Sequence, residues 1–114
     1  MKKSVKKLLQ ENENDLVVER YNQDFHENYL TGCTFETTRL YHCSAKVEVK
    51  LNYIHLISYG TLIATYEIQN NSLYDYLRFV YGYTATSSQH ISKFYRWLKE
   101  NGYNVNKFYR WYAL

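Results

Sequence analysis

The clearest pattern in the chain is a period-two alternation through its middle. Lys46-Val47-Glu48-Val49-Lys50-Leu51 places apolar and charged residues in turn, as a strand does with one face on a core and the other in water. Leu62, Ala64, Tyr66 and Ile68 interleave with Ile63, Thr65 and Glu67, and Leu73, Asp75, Leu77 and Phe79 interleave with Tyr74, Tyr76 and Arg78. Asparagine tolerates positive φ, so Asn70-Asn71 between these two runs predicts a hairpin tip. Phe35 to Tyr41 reads as a strand ahead of Cys43-Ser44-Ala45, and Tyr53 to Tyr59 reads as another that turns at Gly60.

The period changes at both ends. Lys3 to Asn12 predicts a short helix in which Val5, Leu8, Leu9 and Asn12 share a face among lysines. From Asn14 to Gly32 the pattern is weak, and Leu16-Val17-Val18 suits either a strand or more helix. After Gly82, Ile91, Phe94, Tyr95 and Leu98 recur at the spacing of a helix stripe. Thr84, Thr86, Ser87 and Ser88 are its N-cap candidates, and Gly102 stands where a left-handed C-cap belongs. The expectation is one α+β domain spanning residues 1–114: a small, mostly antiparallel sheet of about four to five strands, with an N-terminal and a C-terminal helix packed on it.

Composition narrows the setting. With 114 residues and 46% hydrophobic positions the chain has enough apolar area to fold as one core. Tyrosine, at 14 residues, suits half-buried strands and contact surfaces, and an AT-rich genome would produce the same excess. No stretch approaches the run of about 20 apolar residues that a membrane span needs, and the start resembles no signal peptide. Cys33 and Cys43 are expected as free thiols in a reducing compartment, which gives a cytoplasmic expectation. A net charge of +3 is compatible with nucleic acid and argues against an acidic DNA mimic.

The candidate contact surface lies in a repeated pentapeptide. Lys93-Phe94-Tyr95-Arg96-Trp97 returns unchanged as Lys107-Phe108-Tyr109-Arg110-Trp111. On a helix centred on Ile91, Lys93, Arg96 and Trp97 fall away from the buried stripe, and the second copy offers Lys107, Arg110 and Trp111 to widen the patch. Trp, Tyr and Arg dominate interface hot spots and stack on bases, so these six residues are the expected partner-binding set. The alternative is that Trp97 packs under the C-terminal tail and the cations merely solvate the helix.

Other chemistry is sparse. Cys33 and Cys43 with His26, His42, His55 and His90 lack zinc-ligand spacing, so no metal is expected. No hydrolase, phosphate-loop or dinucleotide motif occurs, and neither a cofactor nor a small-molecule substrate is expected. Glu36, Glu48, Glu67 and Asp75 on strands keep a small metal-dependent nuclease as the one catalytic alternative to a non-enzyme.

Two stretches carry a resemblance. Ser58-Tyr59-Gly60-Thr61-Leu62-Ile63-Ala64 and Tyr83-Thr84-Ala85-Thr86-Ser87-Ser88-Gln89-His90-Ile91-Ser92-Lys93-Phe94 resemble a strand and a helix start of small uncharacterised proteins encoded by phages and plasmids of Gram-positive bacteria. Thr84 departs from the serine usual there, and the tryptophan-bearing tail is not a shared feature. The resemblance implies a phage-type accessory protein in the host cytoplasm that binds a host protein or ribonucleoprotein stoichiometrically, in the manner of anti-CRISPR inhibitors of defence complexes. A nucleic-acid-binding protein using the basic and aromatic C-terminal surface is the alternative. His90 is expected near the first helical turn, with a ring nitrogen on a strand carbonyl.

Overall fold

A computed structural model describes residues 4–29, 33–82 and 85–113. It has the expected α+β architecture, with one more strand than the sequence pattern suggests. The elements are α1 (Val5–Gln23), a π-helical turn (Asp24–Tyr29), β1 (Thr34–Arg39), β2 (Ala45–Lys50), β3 (Tyr53–Ser58), β4 (Thr61–Glu67), β5 (Ser72–Asp75), α2 (Leu77–Val80), α3 (Ala85–Glu100) and β6 (Lys107–Arg110). The strands lie in sequence order, β1 to β5 antiparallel and β6 parallel to β5 after the α3 crossover.

Alternation along the strands separates two cores on opposite faces of the sheet. Ile54, Leu56, Ala64, Tyr66 and Leu73 point one way and meet Ile91, Phe94 and Leu98 of α3. Ile57, Leu62 and Tyr74 point the other way and meet Val17 of α1. A bulge between Leu56 and Ile57, opposite Leu62 to Ala64, locally resets the alternation. The sheet is therefore covered by a helix on each face.

Turns follow the local chemistry. Tyr59 at φ 50° and Gly60 at φ 79° both take left-handed values, the combination of a tight hairpin whose twist matches its strands. Asn71, at φ 53°, forms the turn expected at Asn70-Asn71. Gly102, at φ 84°, ends α3: its N–H donates to the Lys99 carbonyl at 3.2 Å and that of Tyr103 to the Leu98 carbonyl at 2.8 Å, the paired bonds of a Schellman cap. The N-cap candidate Thr84 lies outside the described residues.

Three expectations change. The short N-terminal helix is instead a 19-residue helix that runs on through Asn14 to Gln23. It starts at Ser4, whose Oγ accepts from the Lys7 N–H at 3.2 Å. The polar run in its middle is anchored by tertiary bonds: buried Asn14 donates through Nδ2 to the Tyr112 carbonyl at 2.5 Å and accepts the Tyr112 N–H at 2.9 Å. Second, the alternation predicted through Phe79 stops at Asp75, because Asp75 Oδ1 accepts the Leu77 N–H at 2.9 Å and starts the short helix α2. Third, Lys107 to Arg110 is the strand β6, so the second pentapeptide copy does not widen the helical surface of the first.

Between α1 and the sheet lies a buried ionic cluster. Arg20 meets Glu67 at 2.5 Å and Asp24 at 3.3 Å, with its guanidinium 4.9 Å from the Tyr74 ring centre, and Tyr76 Oη donates to Asp24 at 2.5 Å. Burial alone would lower the Arg20 pKa, but Asp24 and Glu67 outweigh it and hold it above its ordinary value. Burial, reinforced by Asp24, pushes the Tyr76 phenol well up. The cluster fixes where α1 crosses the sheet. No helix among the described residues is long and apolar enough to cross a membrane.

Candidate functional site

The two copies of the pentapeptide take different secondary structures, and this decides where the six predicted contact residues go. In α3 the period of a helix buries Phe94 and leaves Arg96 exposed. In β6 the period of two sends Phe108 and Arg110 to the α3 side, and Tyr109 and Trp111 to the α1 side. Trp97 packs beside Phe94 and stacks on Tyr103 at 6.4 Å and 16°, so it sits half-buried against the loop that follows α3. Trp111 packs against Phe79 on the other face of the sheet. The indoles therefore belong to separate cores.

The cations are spread as well. Arg96 lies over the Tyr41 ring at 4.4 Å and pairs with Glu100 at 3.4 Å, on the hairpin side of α3. Lys93 is half-buried on α3, and Lys107 is exposed at the edge of the sheet. Hence Lys93, Arg96, Trp97, Lys107, Arg110 and Trp111 do not form one continuous patch. A second helical copy would have been needed to continue the first one's surface.

What the tertiary structure does assemble is a groove between α3 and β6. A recess of about 260 Å³ is lined by Ile91, Ser92, Tyr95, Phe108 and Arg110. A more polar recess of about 120 Å³ continues it past Ser88, Asp75, Arg78 and Tyr112. Arg110 is the one predicted contact residue that lines both. Its guanidinium stacks on Phe108 at 4.1 Å and reaches Asp75 at 3.9 Å, while Arg78 stacks on Tyr112 at 4.9 Å. Burial raises the Asp75 pKa, and the Leu77 N–H, Arg110 and Arg78 partly counter it. Tyr95, expected in the buried stripe, instead stands at the groove wall with Lys99 5.8 Å from its ring centre.

The groove is stiff on its strand side. β6 is an edge strand, and α1 covers part of that edge: Gln10 Nε2 donates to the Arg110 carbonyl at 3.3 Å, and Asn14 holds Tyr112. Tyr109 stacks on Tyr74 at 5.1 Å and 15°, which locks β6 from the face opposite the groove. Arg78 and Tyr112 had no signal in the sequence, and Tyr95 and Phe108 belong to the repeated pentapeptide but not to the expected contact set, since a groove between a helix and a distant strand has no local period.

The resemblance stretches also meet. Ser58 at the end of β3 and His90 in α3 share a buried 2.8 Å hydrogen bond between Oγ and Nδ1, so the ring bonds a strand side chain and not the expected carbonyl. The Tyr81 hydroxyl donates to the Ser58 carbonyl at 2.8 Å. Burial, with Lys93 nearby, lowers the His90 pKa. Ser58 is fully buried, so the pair reads as a clasp between α3 and the sheet.

For the metal question, no group of three or more His, Cys, Asp or Glu among the described residues converges on a point. Cys33 and Cys43 are free thiols; Cys33 is exposed and Cys43 half-buried in the turn after β1, so His42 and Cys43 lie on no strand. Glu67 is committed to Arg20, and Asp75 faces Arg110. Compared with known proteins, the chain matches no family model, no curated protein and no solved structure.

Proposed function

We propose that this chain acts by stoichiometric binding of a protein partner, and that the groove between α3 and β6 is its contact surface. The observation that carries the reading is the composition of that groove: an apolar floor of Ile91 and Phe108, an aromatic wall at Tyr95, and the guanidinium of Arg110 at 4.1 Å over Phe108. Arginine and tyrosine around an apolar floor are the side chains that carry most interface energy. Arg110 and Arg78 outnumber Asp75 there, which favours an acidic side chain on the partner. The resemblance to phage- and plasmid-encoded proteins directs the choice of partner to a host defence ribonucleoprotein, whose inhibition requires surface and no chemistry.

The test is a titration of purified CRISPR-type effector complexes with the chain, reading target cleavage. Loss of cleavage that ends near one chain per complex, and that Arg110→Glu abolishes, supports the reading. Full cleavage in molar excess of the chain, with no complex on a sizing column, overturns it for those effectors.

Nucleic acid is the second reading. It is favoured by the cations that lie over aromatic rings along the same groove, Arg110 on Phe108, Arg78 on Tyr112 and Lys99 on Tyr95. It requires affinity for single- or double-stranded DNA that falls steeply with salt as counterions are released; absent or salt-independent binding removes it.

A further inference from the structure

Helix α1 buries its later turns on the sheet and leaves apolar side chains of its first turns in water. Val17 is fully buried against the sheet, and Tyr21 packs edge-on to Tyr76 at 5.2 Å. The first turns carry Val5, Leu8 and Leu9, at the i, i+3, i+4 spacing of a helix stripe, with exposures of 73, 47 and 64%. Every residue from Ser4 to Leu9 is exposed, so the first turns of α1 stand clear of the sheet. Three adjacent large aliphatic side chains in water are a poor use of a helix surface unless something covers them.

The charges on the same helix say what fits. Its first turns hold Lys6 and Lys7, and the turns that follow hold Glu11, Glu13 and Asp15. A helix that is basic and then acidic along its length is complementary to its own reverse. In an antiparallel pair related by a two-fold axis, each flank of the stripe meets the same flank of the other copy. Lys6 and Glu13 lie two turns apart on one flank, so an axis passing near Leu9 sets Lys6 of each copy level with Glu13 of the other. The same register puts Leu8 and Leu9 of one copy against Leu8 and Leu9 of the other.

We propose that this face of α1 is a self-association surface, on which a second copy of the chain docks its own α1 antiparallel, with Val5, Leu8 and Leu9 as the seam and Lys6 to Glu13 as the charge lock. The seam residues Val5, Leu8 and Leu9 line neither recess of the α3–β6 groove, and pairing yields a two-fold particle. The area is small, which makes the dimer a weak one, with a dissociation constant on the order of tens of micromolar.

Sedimentation equilibrium across a protein concentration series reads it directly. The unmodified chain is expected to shift from monomer to dimer over that series. Leu9→Asp abolishes the shift, and Lys6→Glu weakens it by roughly tenfold by facing two carboxylates. The double change Lys6→Glu with Glu13→Lys restores it, and an equimolar mixture of the two single variants forms a heterodimer tighter than either homodimer. Circular dichroism tracks folding, and these positions lie outside the buried core. A chain that stays monomeric at millimolar concentration overturns the proposal. So does a dimer indifferent to Leu9→Asp, or a double variant no stronger than Lys6→Glu alone.

Discussion

His55 sits on β3 with no solvent-exposed surface, its Nδ1 2.9 Å from the Thr65 hydroxyl. Burial, with the Lys50 ammonium nearby, pushes its pKa down to about 3. In the unfolded chain the imidazole titrates near its ordinary value of about 6.5. Below that pH the unfolded state takes up a proton that the folded state refuses, so stability is fully present above about pH 6.5 and drains away as pH falls toward 3. Each pH unit across this window is about 1.4 kcal/mol, which gives a loss of about 2 kcal/mol between pH 7 and 5 and about 5 kcal/mol over the whole window. His55→Gln keeps a donor and an acceptor for Thr65 and removes the titration. Urea unfolding of both proteins at pH 7, 6 and 5 isolates the effect. The lowered pKa of His90 and the raised one of Asp75 act in both proteins and cancel in the difference. The gap between the two proteins should narrow by about 2 kcal/mol from pH 7 to 5. Parallel curves would show that His55 accepts its proton in the folded state and would refute the assignment of a neutral, sealed imidazole.

Other consequences are equally direct. Arg20→Met leaves Asp24 and Glu67 buried without their cation, and should cost about 3–5 kcal/mol in urea unfolding; a change below about 1 kcal/mol would mean that the carboxylates find other partners. Gly102→Ala forces a side chain into the left-handed conformation that closes α3, with an expected loss of about 1 kcal/mol that thermal melts resolve. Asn14→Leu removes both bonds to the Tyr112 backbone, so hydrogen exchange at Tyr112 should accelerate while that of β3 and β4 stays protected.

The central strands were legible because alternation is a local consequence of a half-buried sheet: the run at Lys46 to Leu51 appears as β2, and Asn71 turns where an asparagine can. α3 was legible for the same reason, since its stripe buries Ile91, Phe94 and Leu98 and a glycine with positive φ ends it. The polar middle of α1 was not, because Asn14 is buried by bonds to a residue at the far end of the chain. The candidate groove was readable only at Arg110, as its other wall comes from α3 and its mouth from α2.

The repeated pentapeptide draws the boundary most sharply. Sequence alone determined its composition, its mixture of aromatic and cationic side chains, and the stop at Gly102 that separates the copies. It did not determine conformation, because Lys-Phe-Tyr-Arg-Trp has no strong preference between helix and strand. The first copy follows a capped, amphipathic run and continues it as helix. The second follows the chain reversal, meets the free edge of β5, and pairs there from Ser72↔Lys107 to Asp75↔Arg110. Identical residues thus expose different atoms, because burial against a distant neighbour outweighs a propensity difference of about 1 kcal/mol or less per residue.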